Sequence, residues 1–574
     1  MPGSPPNAEV AAFIWRTRYR APGEATIADT WRRVARAVAS VETEPGRWEK
    51  AFLEILEGFR FLPGGRILAG AGTDRASLNN CFVMGQPEDS TEGVFRALRE
   101  AVATLRAGGG IGCDFSPLSP RGAITADGAV APGPVAFLAL WDAACETFLT
   151  GSPRGGAMMG TLSCDHPDIE DFIAAKRRPG ALRRFNLSVL VTDAFMAAVK
   201  DAADWPLVHG GRTVRTVAAR TLWEALARSA YDSGEPGVLF VDRINRTNNL
   251  WWRERITAAN PCGEIPLPAH GACDLGSLNL VAFVRDAFTP GARLDFEHLG
   301  ATARTAVRFL DDVIDLTAYP LAQQGEVARG ARRIGLGVTG LADALVMLGM
   351  TYGEAPSLDL AAQALRTIRD AAYRASVDLA REKGAFPAFD RDRYLKAPFV
   401  RRLPQDVLEG IAAFGVRNSH LLAIAPTGSI SLLAGGVSTG VEPVFAGVQA
   451  RTARGEDGSP VRLEVTDPAL ALWRARTGSG GEPPGFVTAQ AVPVTAHLDM
   501  QAALQPFVDN AISKTINVAA DCPFEQFRPI FDMAYERGLK GCAAFRPTPV
   551  RPPVLEAQDE ASASPCHLGG TVCD

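Results

Sequence analysis

No Cys-x-x-Cys pair occurs in the chain, although it has ten cysteines: Cys81, Cys113, Cys145, Cys164, Cys262, Cys273, Cys522, Cys542, Cys566 and Cys573. That absence argues against a zinc ribbon and against a general disulfide oxidoreductase, and no metal site is expected. Ten thiols in 574 residues are too sparse for a disulfide scaffold, so most should be reduced, as in a soluble cytoplasmic protein. No apolar run is long enough to span a bilayer. The opening MPGSPPNAEVAAFIWRTRYR lacks the charged-then-apolar order of a secretory signal. Excess charge is missing too. A net charge of −5 and a pI near 5.9 advertise neither a nucleic-acid groove nor an anionic membrane surface.

What is present is an ordinary globular balance, 47% hydrophobic and 21% charged, long enough for one large catalytic body or a few smaller domains. Residues 1–60 read as helices, with apolar residues at helical spacing in Ile27–Val38 and Trp48–Gly58. From Phe61 to about residue 450, helical stretches (Val135–Phe148, Thr221–Tyr231, Ala301–Leu316) alternate with short apolar runs (Leu187–Val191, Gly237–Phe240, Leu421–Ile424). Alternation of this kind predicts an α/β body. Loops are expected at Arg454–Pro460 and Thr477–Gly485, and a helical stretch at Pro523–Arg537. The last 28 residues, Pro547–Asp574, have no periodic apolar face and read as a mobile tail.

The densest chemistry lies in Asn260-Pro261-Cys262-Gly263-Glu264. In an extended segment, residues at i, i+2 and i+4 point to one side, so amide, thiol and carboxylate would face one small volume. A carboxylate there moves protons, an amide orients a hydroxyl, and a thiol donates a hydrogen atom or an electron pair. A proline-containing loop with an inert buried cysteine has the same spacing. Cys81 in SLNNCFV and Cys273 in GACDLGSLN would hold two reducing electrons if they met in space; two unrelated core cysteines are the alternative. Near the end, Cys566 and Cys573 flank HLGGTV on a segment of tail composition. Some 20 residues separate Arg546 from Cys566, and a flexible linker of that length has an r.m.s. span of roughly 25 Å and stretches to about 70 Å. A thiol shuttle into an internal pocket is the favoured reading, with a metal-binding end or no role as the others.

Pro426-Thr427-Gly428-Ser429-Ile430-Ser431 follows an apolar run, and its backbone N–H groups suit a phosphate if a helix begins there. It is not a P-loop, since no Gly-Lys-Ser/Thr follows. Gly335-Leu-Gly-Val-Thr-Gly340 matches the dinucleotide fingerprint on paper but follows a polar, arginine-rich stretch, so packing of helices through glycine is expected instead. Gly108-Gly-Gly-Ile-Gly112 reads as a glycine turn.

Together and in this order, these pieces resemble the ribonucleotide reductases, in particular the adenosylcobalamin-dependent class II branch. The resemblance covers about Phe61 to Arg546 and is carried by FLPGGRILAGAGT, SLNNCFV, AGGGIGCDFSPL, RGGAMMGTLSCDHPDIEDFI, RRFNLSVLVTDAFM, NPCGEIPLP, CDLGSLNL, RRIGLGVTGLADAL, APTGSISLLAGGVSTGVEP and FVDNAISKTIN. It implies an α/β barrel of ten strands, made of two antiparallel five-stranded parallel halves, with Cys262 on a central finger loop. An N-terminal helical segment (1–60) precedes the barrel (61–546), and a redox-active cysteine tail (547–574) follows it.

The resemblance also implies roles. Cys262 would become a thiyl radical and take the 3′ hydrogen of the ribose; Glu264 would be the base on the 3′-hydroxyl, and Asn260 would bond the departing 2′ side. Cys81 and Cys273 would supply two electrons, and Cys566 with Cys573 would restore them from a thioredoxin-like reductant. Pro426, Thr427, Gly428, Ser429 and Ile430 would hold substrate phosphates. Asp89, Ser90 and Arg121 would bind a nucleotide effector, usually at a homodimer interface. Lys176, Arg177, Arg178 and Arg184 would form the loop that relays effector identity.

The radical generator is read from absences. Removing an unactivated hydroxyl needs a radical, and no acid–base side chain makes a thiyl, so a cofactor must. Class I large subunits carry an adjacent tyrosine pair after Gly-Leu-Lys; here that place reads Gly541-Cys542-Ala543-Ala544-Phe545. Gly569-Gly570 is not read as a glycyl-radical site. Adenosylcobalamin remains, although no Asp-x-His-x-x-Gly occurs; the family is expected to bind it without that histidine. Two places depart from the family: Ser119 and Gly155 stand where arginines are frequent, with Arg121 or Arg154 as replacements for lost phosphate contacts. The 60 residues before the body are shorter than an ATP cone, so specificity control without an overall off-switch is expected. The rival functions are a class I-like large subunit dependent on a partner radical protein and a catalytically silent nucleotide-binding regulator.

Overall fold

Ten short runs of apolar and small residues become the strands of one closed barrel in the computed structural model, which describes residues 7–74, 77–125, 128–149, 156–178, 180–455, 459–548 and 556–557. The first five are β1 (Cys81–Val83), β2 (Gly110–Asp114), β3 (Met158–Ser163), β4 (Phe185–Val191) and β5 (Gly237–Phe240). The second five are β6 (Ala272–Asn279), β7 (Ile334–Thr339), β8 (421–424), β9 (Thr515–Asn517) and β10 (Gly541–Phe545). Pairing is parallel from β1 through β5. It is parallel again from β6 to β10, with β8 joined by the bridges Leu336–Leu422 and Ile424–Ile512, the latter in the lead-in to β9. The two halves meet antiparallel at both edges, β1 on β6 and β5 on β10. The expected barrel of two antiparallel five-stranded halves is therefore the observed one.

The side-chain alternation of each strand sorts residues between two environments. Outward residues such as Phe82, Ile111, Leu187, Val189 and Val238 pack under helices with Phe172, Trp223 and Phe531. Inward residues Cys81 and Val83 of β1, Cys273 and Leu275 of β6 and Ala423 of β8 form a separate interior cluster with Ala258, Ile265 and Leu267. The N-terminal helices cover the second half. Ile27–Ala39 starts where the Thr26 N–H bonds the Asp29 carboxylate at 2.8 Å. It buries Trp31, Val34, Ala35 and Val38 in a core shared with Phe296–Leu316 and Ala355–Lys383.

Two local expectations need correction. Gly335–Gly340 does not pack helices: Ile334–Thr339 is barrel strand β7. Its glycines admit neighbouring chain, since a Cβ on Gly337 would lie 2.3 Å from the Ala423 carbonyl oxygen. The helical stretch Pro523–Arg537 is two helices, Phe524–Phe527 and Ile530–Glu536. Pro529 cannot donate to a continuing helix and divides them. Among the described residues no helix is long and apolar enough to cross a membrane.

Gly112 on β2 sets the sharpest packing limit, because its Cβ would fall 1.9 Å from the Ala259 carbonyl oxygen. Gly112→Ala should therefore push the interior hairpin aside, lowering stability by about 1–3 kcal/mol and turnover with it. Thermal unfolding together with product assay checks this; a variant as stable and as active as the parent would contradict the packing described.

Candidate active site

Residues 258–267 form a finger inside the barrel. Ala258–Ala259 and Pro266–Leu267 pair antiparallel, and the loop between them carries Asn260, Cys262 and Glu264. Both halves hold it. Asn186 of β4 donates to the Pro261 carbonyl at 2.8 Å, and Thr161 of β3 donates to that of Thr257 at 2.9 Å. From the other half, the Ala511 N–H donates to the Glu264 carbonyl at 2.9 Å and Arg333 to the Pro266 carbonyl at 3.2 Å. The tip is a turn and not the extended segment expected from i, i+2, i+4 spacing. The Gly263 N–H bonds the Asn260 carbonyl at 3.0 Å. Gly263 sits at φ +83°, where a side chain would strain the backbone.

That turn brings the two polar side chains together. Asn260 Nδ2 lies 2.7 Å from Glu264 Oε1 and 3.2 Å from Cys81 Sγ, and Asn260 Oδ1 accepts from the Ile265 N–H at 3.0 Å. Cys81 Sγ in turn lies 3.7 Å from Glu264 Oε1. Cys81 and Cys273 are direct cross-strand partners on β1 and β6. Such opposite residues have Cα atoms about 4.5–5.5 Å apart, a separation a disulfide spans without moving the backbone. Both are thiols here. Cys262 stands at the tip, half-buried, between the amide and the carboxylate in sequence.

Burial sets the electrostatics. Glu264 is 2% exposed, and desolvation raises its pKa to about 7, against the hydrogen bonds from its backbone, Asn260 and Cys81 that favour the anion. Its second oxygen, Oε2, is buried and has no hydrogen-bond partner among the described residues, which leaves it able to accept from a ligand. Burial also pushes the Cys81 thiol well above the usual range, helped by the Glu264 charge, and does the same to Cys273, helped by Asp274. Both sulfurs therefore keep their protons at neutral pH.

Beside the tip the inner wall is made of small residues. A Cβ on Gly263 would meet no atom within 4 Å. From Asn186, which touches the finger, the wall continues through Ser188 and its register partner Gly237 to Ala543 of β10. Ala543 is exposed although Cys542 and Ala544 beside it are buried. Small residues thus border the finger on this side.

The loop after β8 leads into a helix. A short helix, Gly428–Leu433, begins there, and no side chain caps it. Thr427 Oγ1 is turned instead to Thr339 Oγ1 at 2.6 Å and the Gly440 N–H at 3.3 Å. Around Asp89 the arrangement is less expected. Its carboxylate accepts from the Ser119 N–H at 2.9 Å and the Ser119 hydroxyl at 2.5 Å. That hydroxyl also lies 3.2 Å from His209 Nε2, a residue on the hairpin of Asp204–His209 and Arg212–Ala218 that sequence reasoning did not single out. Ser90 accepts from the Gly93 N–H at 3.1 Å and starts the helix Thr91–Arg106. Arg121 pairs with Asp171 at 2.5 Å. Lys176 is anchored, its ammonium 2.9 Å from Glu235, while Arg177 and Arg178 are exposed and the Arg184 N–H bonds Asp142 at 2.8 Å. Arg154, Gly155, Cys566 and Cys573 lie outside the described residues.

With this geometry in view, two family comparisons decide the family. The ribonucleotide reductase barrel domain matches residues 79–545, and the ribonucleotide reductase all-alpha domain matches residues 8–76. The chain belongs to the ribonucleotide reductase family. Among relatives of this reductase, the vitamin B12-dependent ribonucleoside-diphosphate reductase of Mycobacterium tuberculosis (strain CDC 1551 / Oshkosh) is 40% identical, over 93% of this chain and 79% of the relative. The protein of the same description from Thermoplasma acidophilum is 34% identical, over 94% of this chain and 72% of its own length. The ribonucleoside-diphosphate reductase subunit alpha of Chlamydia pneumoniae, at 26% identity, matches 72% of this chain and 45% of its own. The class II assignment made on the missing tyrosine pair thus agrees with these two vitamin B12-dependent relatives.

Proposed function

We propose that this reductase converts ribonucleoside diphosphates to 2′-deoxyribonucleotides by a radical route with adenosylcobalamin as cofactor. The observation that carries the proposal is the meeting of Asn260, Glu264 and Cys81 around one buried point, with Cys273 directly across from Cys81. Bound adenosylcobalamin would supply the one-electron oxidation that turns the Cys262 thiol into a thiyl radical. Gly263, Ser188, Gly237 and Ala543 would border it on the open side of the finger.

The chain's own residues do the rest. The Cys262 sulfur takes the hydrogen atom from C3′ of the ribose. Glu264 accepts the 3′-hydroxyl proton through its unpartnered oxygen. The 2′-hydroxyl leaves as water with a proton from Cys81, whose raised pKa keeps that proton available. Asn260 orients that side of the sugar. Cys81 and Cys273 give up two electrons and join as a disulfide, and Cys262 returns its hydrogen atom to C3′. One ribonucleotide and two thiols thus become one deoxyribonucleotide, one disulfide and one water. The Ser429 hydroxyl and the N–H groups of the Pro426–Ile430 loop, that of Thr427 among them, hold the substrate phosphates.

Regulation belongs to the same reading. Asp89, Ser90 and Arg121 bind a nucleotide effector, and the segment carrying Lys176, Arg177, Arg178 and Arg184 relays its identity. A homodimer is supported by apolar surface nearby. Phe95 on Thr91–Arg106, and Leu140 and Phe148 on the adjacent helix Pro134–Leu149, are 56%, 36% and 58% exposed, an arrangement suited to a second copy. The reductase works in the cytoplasm, re-reduced through Cys566 and Cys573 by a thioredoxin-like partner. Replacing both tail cysteines with serine should keep turnover with a small dithiol and abolish it with thioredoxin; equal loss in both assays would remove the shuttle.

The function itself is tested with purified protein, CDP, a dithiol, and adenosylcobalamin present or withheld. Deoxycytidine diphosphate should form only with the cofactor. Product made without it would overturn the class assignment, and no product from CDP or CTP under any condition would favour a silent regulator.

A further inference from the structure

The first helix, Ala8–Ile14, runs into a five-residue π-helical turn, Trp15–Tyr19. A π turn is rare and is found mostly where a side chain must be re-aimed. Here it closes with the Arg20 N–H on the Trp15 carbonyl at 2.9 Å. It carries the Tyr19 hydroxyl across to the barrel, where it hydrogen-bonds with Ser429 Oγ. Both residues are buried, at 1% and 6% exposed. Tyr19 is held from behind: Arg33 donates to its carbonyl at 3.2 Å and to that of Leu68 at 3.0 Å, while pairing with Glu24 at 2.7 Å. Ahead of it, Asn7 fixes the chain beyond the same loop, donating to the Gly435 and Thr466 carbonyls at 2.8 and 2.7 Å.

We propose that Tyr19 is a positioning residue for the substrate phosphate, acting through Ser429. The inference rests on the reading of Pro426–Ile430 as the phosphate loop. A phenol is a better donor than an aliphatic hydroxyl. With Tyr19 donating to Ser429 Oγ, the serine's own proton is directed outward, and the chain of two hydroxyls polarises toward an anionic oxygen. A buried tyrosine needs some partner for its hydroxyl, and a backbone carbonyl would satisfy that need. Pairing it to a side chain of the phosphate loop links the all-helical segment to substrate binding.

Equilibrium binding of CDP and of cytidine, measured beside steady-state turnover, tests this. Tyr19→Phe should weaken CDP binding and raise its KM by about 5- to 20-fold, leave cytidine binding unmoved, and change kcat by no more than about twofold. Ser429→Ala should weaken CDP binding at least as much, Ser429→Thr should restore binding, and the double variant should be no worse than Ser429→Ala alone. Unchanged CDP binding in Tyr19→Phe, equal losses for CDP and cytidine, or additive losses in the double variant would overturn the inference. Should Tyr19→Phe not fold, 3-fluorotyrosine at position 19, a near-isosteric phenol that donates more strongly, decides: tighter CDP binding supports the inference, and unchanged or weaker binding overturns it. A wild-type protein that binds CDP but makes no deoxynucleotide would sink the proposed function and leave the Tyr19 result readable.

Discussion

Cys262→Ser should leave the fold intact and abolish product formation, a loss of at least about 10³-fold, or more than about 4 kcal/mol of transition-state stabilisation. Serine has nearly the same shape, and Cys262 stands half-buried at the finger tip, outside the packed interior cluster. Structure and stability therefore have little reason to change. The chemistry has every reason to change, because an O–H bond is far stronger than an S–H bond and a serine oxygen does not replace a sulfur radical. The variant should also spare CDP binding, since the proposed phosphate contacts come from a different loop. Product from Cys262→Ser at even a tenth of the parental rate would show that this sulfur does not start the reaction.

Glu264→Gln should cost about 10²–10⁴-fold in kcat, the usual span for removing a positioned base. The pH profile carries a more specific signature. The carboxyl pKa is raised to about 7, so the carboxylate proposed to accept the 3′-hydroxyl proton is scarce below that pH and dominant above it. The rate should climb through about pH 7 in the parent, and that limb should vanish in the glutamine variant. Stability moves in the opposite sense. A carboxyl whose folded pKa lies above its usual 4.5 binds its proton more tightly in the native state. The stability this gives is present below pH 4.5 and is lost as pH rises to about 7, a swing of about 3 kcal/mol. At pH 8 the glutamine variant should therefore be no less stable than the parent, and more stable wherever its amide finds a partner. A glutamine variant that is markedly less stable at pH 8 would mean that the buried carboxylate is better solvated than its surroundings indicate.

The reach of the sequence differed from residue to residue, for physical reasons. Asn260, Cys262 and Glu264 were legible because they are neighbours in the chain, yet the meeting of Asn260 with Glu264 comes from a glycine turn at Gly263 and not from extended alternation. The Cys81–Cys273 pairing could not be read from spacing, since it depends on the antiparallel edge where the two half-barrels meet; only the family resemblance suggested it. The barrel strands with continuous apolar runs, β4 and β5, were evident. Strand β7 was not, because half of Ile334–Thr339 is glycine or threonine, chosen for close approach of Ala423 and not for side-chain burial. His209 and Tyr19 left no pattern at all. One lies on a hairpin edge, and the other is aimed by a π turn that no apolar periodicity announces.

The central claim is that one turnover converts the facing thiols of β1 and β6 into a disulfide. A single-turnover reaction with adenosylcobalamin, CDP and no external reductant, run on the Cys566→Ser, Cys573→Ser variant and followed by peptide mass mapping, tests it directly. One deoxycytidine diphosphate per chain and a Cys81–Cys273 crosslink in equal amount are the predicted result. Product accumulating while both sulfurs remain thiols would contradict the account.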